Sequence, residues 1–140
     1  MASTTDSRGK TTTYTYDTAR GLQTAVTDPN GNTTSYAYNA YNDRLNSVSS
    51  GNSTVGYTYN TVGALTGITS PSATQYAFHY DQFGRTTSIE AGNRTLSTTA
   101  YRDNTSSLIS TFTYGNGQTV EYSYDSLDRL TQKRYNGTHR

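Results

Sequence analysis

Fourteen tyrosines set among asparagines, aspartates and hydroxyl side chains are the residues of this chain with the most chemistry to offer. A ring exposed on a surface stacks on the face of a sugar, and neighbouring Asn, Asp, Ser and Thr groups bond the sugar hydroxyls. Tyr41, Tyr76 and Tyr135 fall outside the spacing of the other tyrosines and are the best candidates for such a contact. Acid–base chemistry has little to work with. His79 and His139 stand 60 residues apart, and no carboxylate motif accompanies either. In a strand His79 points away from the rings of Phe78 and Tyr80, hence toward solvent. Glu90 and Glu121 are the only glutamates, and they fall in different repeats, which gives a paired acid and base no support. No Ser/His/Asp set and no phosphate-binding loop can be drawn. The lack of cysteine removes disulfides and thiolate zinc sites. The expectation is a protein that is not an enzyme, without catalytic residues, cofactor or metal.

Most of the other tyrosines come in pairs. Tyr14/Tyr16, Tyr36/Tyr38, Tyr57/Tyr59, Phe78/Tyr80 and Tyr122/Tyr124, with a degenerate copy around Tyr101, place the second ring at 16, 38, 59, 80, 101 and 124. A step of 21 to 23 residues marks a repeat architecture, whose units bury apolar surface only against their neighbours. A ring in every unit is more simply a packing ladder than a row of sugar sites. That assigns Tyr14, Tyr16, Tyr36, Tyr38, Tyr57, Tyr59, Tyr80, Tyr122 and Tyr124 to packing.

Leu, Ile, Val and Phe number only 18 of 140 residues, a level at which disorder is suspected. Disorder also requires high net charge and few aromatics, whereas this chain carries +1 and is rich in tyrosine. Each buried ring removes roughly 150–250 Å² from water. At about 25 cal/mol per Å² that gives an upper bound of roughly 4–6 kcal/mol. Threonine and tyrosine favour strands, asparagine and glycine favour turns, and no stretch keeps apolar residues at three-to-four spacing. The reading is all-β with no thick core. Only two lysines, Lys10 and Lys133, are present, so the basic stripe that nucleic acid needs is missing. Lys133, Arg134, His139 and Arg140 read as a solvated end. No apolar run is long enough to span a membrane, and Met1–Thr5 lacks the features of a signal peptide. A chain that opens and closes mid-pattern reads as a piece of a longer protein.

Aligned on the second tyrosine, the units share a turn. Tyr16-Asp17 to Leu22, Tyr59-Asn60 to Leu65, Tyr80-Asp81 to Thr86 and Tyr124-Asp125 to Leu130 are all seven residues long. The opening Asp or Asn bonds the backbone two residues on, and Gly63, Gly84 or the substitute Asp128 supplies the positive φ that closes the turn. The Tyr38 copy, through Tyr41 to Leu45, carries one extra residue. Arg20, Arg44, Arg85 and Arg129 are placed to pair with a turn Asp of their own or a neighbouring unit. A short strand follows each turn, then a second turn such as Asp28-Pro29-Asn30-Gly31-Asn32, Gly92-Asn93 or Gly115-Asn116-Gly117, and the chain returns to the next pair. Each unit is thus about one hairpin, marginal alone and stable only in a stack. Residues 13–140 give six such hairpins, and residues 1–12 read as a flexible leader.

These units resemble the YD, or Rhs, repeat, built on a tyrosine-aspartate pair, two variable residues, Gly-Arg-Leu and a Gly-containing turn. Tyr16-Asp17, Tyr38, Tyr59 with Gly63, Tyr80-Asp81 with Gly84-Arg85, and Tyr124-Asp125 with Arg129 carry the resemblance. Arg20-Gly21 reverses the Gly-Arg order, Ala64 replaces the arginine, and Tyr101-Arg102-Asp103-Asn104 lacks a clean turn signature. The family includes bacterial Rhs and wall-associated proteins, the C component of insecticidal toxin complexes, and the teneurins. The resemblance implies tandem hairpins in a curved single sheet, or an open segment of a β-shell or solenoid. It implies a structural, non-catalytic role in a bacterial cell-surface or secreted protein, with an extracellular or surface location. No toxin, plug or autoprotease function is assigned to this stretch. The alternative is a carbohydrate- or cell-surface-binding module. Expected partners are the remainder of a parent repeat protein, a glycan, and a second copy through strand edges that few lysines guard. Nucleic acid and a membrane span are not expected. Five Asn-x-Ser/Thr sequons, at Asn32, Asn52, Asn93, Asn104 and Asn136, matter only in a eukaryotic secretory pathway.

Overall fold

The computed structural model describes residues 1–137, and these are all-β. The strands are β1 (Ala2–Thr5), β2 (Thr11–Asp17), β3 (Leu22–Thr27), β4 (Thr33–Tyr38), β5 (Leu45–Ser50), β6 (Ser53–Tyr59) and β7 (Leu65–Thr69). They continue as β8 (Gln75–Tyr80), β9 (Thr86–Ala91), β10 (Arg94–Tyr101), β11 (Ile109–Tyr114), β12 (Thr119–Tyr124) and β13 (Leu130–Asn136). Sheet order follows chain order, which is the outcome expected of tandem hairpins joined by tight turns. Among the described residues no helix is long and apolar enough to cross a membrane.

The chain forms two units, one of Met1–Thr58 with Ile68–Ala73, the other of Tyr59–Gly67 with the residues from Thr74 on. In the first, β1 to β6 pair antiparallel, each with the next. The first 12 residues, expected as a flexible leader, instead carry β1 and a turn that pairs it with β2 from Ala2↔Tyr14 to Thr5↔Thr11. Asp6 builds that turn, its Oδ1 accepting the N–H groups of Arg8 at 2.8 Å and Lys10 at 2.9 Å. With no tyrosine pair ahead of it, this hairpin is invisible to the repeat. In the second unit β8 to β13 pair in the same way.

One irregularity recurs with the period. The register slips immediately before Tyr16, Tyr38, Tyr80, Tyr101 and Tyr124, so that Thr24, Asn46, Thr87, Ser110 and Thr131 stand unpaired on the following strand. Such a bulge bends and twists the strand and breaks the ladder locally. The sequence carries no glycine or other sign of it. On β12 the side chains of Val120, Tyr122 and Tyr124 share a face and alternate with the more exposed Glu121 and Ser123. Val120, 1% exposed, is the sole fully buried hydrophobic among the described residues, so packing is one layer of half-buried rings. Phe112 and Tyr114 meet edge to face beside it, with centroids 4.9 Å apart. Threonine finds its use at the second turns, where hydroxyls pair across the strands: Thr5 with Thr11 and Thr27 with Thr33, each at 2.9 Å.

Candidate functional site

The two tyrosines of a pair do different work. The second donates its hydroxyl to a backbone carbonyl of the preceding hairpin: Tyr38 to Gln23 at 2.8 Å, Tyr80 to Leu65 at 2.7 Å, Tyr101 to Thr86 at 2.9 Å and Tyr124 to Ile109 at 2.9 Å. Gln23, Thr86 and Ile109 each stand opposite the previous second tyrosine, next to the unpaired bulge residue. The bulge disturbs the ladder there, and the next repeat's hydroxyl supplies a donor. Packing expected from these rings is therefore joined by a hydrogen bond that composition did not reveal.

The turns form a second row. Asp81 Oδ1 accepts the N–H groups of Phe83 at 2.9 Å and Arg85 at 3.0 Å, while its Oδ2 takes Arg85 Nε at 2.6 Å. Asp125 repeats the set with Leu127 and Arg129. Gly84, Gly63 and Asp128 have positive φ at the closing position. Around Asp17 the reversed Arg20-Gly21 makes a wider turn than the seven-residue alignment predicts. Tyr16 faces Gln23, and Gly21 N–H reaches back to Asp17 O at 2.8 Å. Arg20 Nε still meets Asp17 Oδ2 at 2.8 Å. The Tyr101 unit closes a turn after all, with Asp103 one position late and its Oδ1 accepting from Thr105 and Ser106.

These bonds hold the carboxylates ionised. The Arg20 guanidinium, with two backbone N–H groups, sets Asp17 below its ordinary value, and Asn32 does the same for Asp28. Desolvation works against Asp81, but the Arg85 N–H and guanidinium keep its carboxyl low. The Arg129 N–H and guanidinium lower Asp125, and the Thr105 hydroxyl and N–H lower Asp103 strongly. The guanidiniums also link successive turns. Arg20 Nη1 bonds Asn39 O at 3.2 Å and Asp43 Oδ1 at 2.9 Å, Arg85 Nη1 bonds the carbonyls of Asp103 and Ser106, and Arg102 Nη1 bonds Asp128 Oδ1 at 2.6 Å. Arg85 also stacks 4.2 Å over the ring of Tyr101. Arg102 and Asp103 were not singled out by sequence, because their unit lacks the Gly-Arg spacing.

The tyrosines proposed for ligand contact are exposed, Tyr41 at 97%, Tyr135 at 67% and Tyr76 at 37%. The structure does not bring them together: each belongs to a different hairpin. Tyr135 does line a cleft of about 350 Å³ with Tyr114, Gln118, Val120 and Asn136. Lys133, expected only as part of a solvated end, holds its Nζ 4.9 Å from the Tyr135 ring and 5.7 Å from that of Tyr122. His139 and Arg140, also expected there, lie outside the described residues. His79 is half exposed, and strand pairing sets its Nε2 3.6 Å from Glu90 Oε1, a neighbour that chain spacing hid. No group of three metal-ligating side chains forms among the described residues.

The repeat, the tyrosine-aspartate pair and both turns point to one family, and the chain matches the teneurin YD-shell family over residues 2–140. It belongs to that family. No curated protein matches it. Among solved structures it is similar to a chain of the crystal structure of TcdB2-TccC3-Cdc42, with 18% identity and a TM-score of 0.65 over 86% of this chain. TcdB2-TccC3 without its hypervariable C-terminal region gives 19% identity and a TM-score of 0.64 over the same share. The YD-shell chain described here spans about 7% of the length of either.

Proposed function

We propose that this YD-shell chain is structural: a wall segment of a larger bacterial repeat protein, at the cell surface or secreted, and without catalysis. The observation that carries the reading is where the polar side chains go. The hydroxyls of Tyr80 and Tyr101 and the guanidiniums of Arg85 and Arg102 bond one hairpin to the next, while Asp81 and Asp125 are engaged within their own turns. Groups consumed by such bonds are not free for substrate. Hydrogen exchange tests this: a wall requires protected ladder amides through each unit, and exchange at unfolded-chain rates in β3, β9 or β12 counts against it.

A second reading, carbohydrate binding, is favoured by the cleft beside Tyr135, where two exposed rings meet the amides of Gln118 and Asn136. Its volume is at the lower end of the range for small-ligand sites. Glycan-array binding that is lost in Tyr135→Ala or Tyr41→Ala supports this reading. No binding at high glycan concentration leaves the wall alone.

A further inference from the structure

The tyrosines divide by what holds them. Tyr38, Tyr80, Tyr101 and Tyr124 donate their hydroxyls to carbonyls. Tyr101 also lies under Arg85, Tyr122 and Tyr135 lie beside Lys133, and Tyr114 packs on Phe112. Among the described residues Tyr41 stands apart, 97% exposed and fastened only through its backbone. It lies two residues past Asn39, the place that Ala19, Val62, Phe83 and Leu127 hold in other first turns. Phe83 leans back on Arg85, its ring centroid 5.1 Å from the guanidinium, whereas Tyr41 makes no such contact. The turn joins β4 to β5 inside the ladder, with β3 paired on one side and β6 on the other. It is firmly built. Tyr41 N–H reaches Asn39 Oδ1 at 2.8 Å, Asn39 N–H reaches Arg44 O at 2.8 Å, and Arg20 of the preceding hairpin bonds Asn39 O and Asp43 Oδ1. A phenol ring held in water at the apex of a fastened turn buries no apolar area and adds nothing to the fold. It is, however, presented to other molecules as no ring of the ladder is.

We propose that Tyr41 is a site of oxidative phenol coupling, through which two copies become covalently joined. The oxidant is hydrogen peroxide, used by a haem peroxidase to withdraw single electrons. Each Tyr41 phenol gives up one electron and its hydroxyl proton and becomes a phenoxyl radical. The radical is shared with the ring carbons beside the C–O carbon, and one such Cε of each ring joins the other in a new C–C bond. The hydrogen on each joined carbon then passes to the ring oxygen, which restores both phenols. Two tyrosines and one peroxide thus give one dityrosine and two waters. Coupling requires two rings to meet edge to edge with nothing between them, which an apex ring allows and a half-buried ladder ring does not. One apex tyrosine per chain limits the product to two copies. This inference goes beyond the wall reading and does not depend on it.

Treatment of the 140-residue chain with a haem peroxidase and hydrogen peroxide tests the proposal, read by denaturing electrophoresis, dityrosine fluorescence and mass spectrometry of digests. A covalent dimer should form, with Tyr41 on both sides of the cross-link. Tyr41→Phe should lower its yield about fivefold, because oxidation of this kind follows exposure. The same substitution should leave the melting temperature unchanged, which separates a lost cross-link from a lost fold. Tyr135→Phe removes the next most exposed tyrosine, at 67%, and should keep at least about half of the yield. The absence of a covalent dimer overturns the proposal. So does a dimer that Tyr41→Phe leaves within about twofold of the parent. Cross-links that map mainly to other tyrosines in the parent overturn it as well, and that measurement needs no variant.

Discussion

Replacing Tyr124 by Phe removes one oxygen and leaves the ring. The lost bond is 2.9 Å long, from a half-buried hydroxyl to the carbonyl of Ile109 beside the bulge at Ser110. A neutral bond of this kind contributes about 0.5–1.5 kcal/mol net, and water reaches a half-buried carbonyl, so the upper penalty for an orphaned group does not apply. About 1 kcal/mol is expected for Tyr124→Phe, or about 3 °C in melting temperature for a chain of this size. Tyr38→Phe, in the other unit, should cost the same, and the double variant about 2 kcal/mol, because the sites share no partner. Tyr122→Phe and Tyr36→Phe are the controls, since neither hydroxyl bonds a carbonyl; each should stay within about 0.3 kcal/mol of the parent. Urea unfolding followed by circular dichroism reads all five, with the slope checked because repeat arrays can depart from two states. Equal losses at Tyr122 and Tyr124 would falsify the hydroxyl ladder and leave packing alone.

Gly115→Ala should destabilise by about 2 kcal/mol in the same urea assay, because an added Cβ meets the Thr95 carbonyl oxygen at 2.4 Å. Ala73→Gly should raise stability by about 0.5 kcal/mol, since Ala73 sits at φ 63° and relief of that strain exceeds the entropy glycine adds. The carboxyls of Asp17, Asp28, Asp81, Asp103 and Asp125 are all lower in the fold than in a free chain. Their contribution is therefore present above the unfolded value of about 4 and is lost as pH falls through the folded values. Thermal melts should be level from about pH 5 to 7 and fall steadily below about pH 4, and a melting temperature unchanged at pH 2 would refute the clasp.

The sequence made the order of strands legible because period, turn chemistry and alternation agree at each hairpin. Asp81 to Gly84 reads as a turn in one dimension and forms one in three. What it concealed were contacts set by register. His79 finds Glu90 through cross-strand pairing, and Arg85 finds Asp103 and Ser106 through the stacking of one hairpin on the next. The β1 hairpin was hidden for another reason: Asp6 and Gly9 make its turn, but four exposed residues without a ring give no apolar pattern to read.

The bulge explains a detail of the tyrosine pair that period alone leaves open. The first position tolerates change, with Phe78 in one unit and Thr99 in another, while the second is tyrosine at 16, 38, 59, 80, 101 and 124. A position that only packs accepts any ring or a β-branched residue. A position that must reach a carbonyl beside a bulge requires the hydroxyl, and Tyr101 reaches Thr86 at 2.9 Å. Swapping chemistry between the two positions of one pair isolates that difference. Phe78→Tyr adds an oxygen where no carbonyl is met by its counterparts and should be neutral, whereas Tyr80→Phe should cost about 1 kcal/mol. The double variant keeps one tyrosine and one phenylalanine in β8, with the same ring area, yet should be as unstable as Tyr80→Phe alone. Recovery of the parent stability in that variant would mean that ring content, not hydroxyl position, holds the hairpins together.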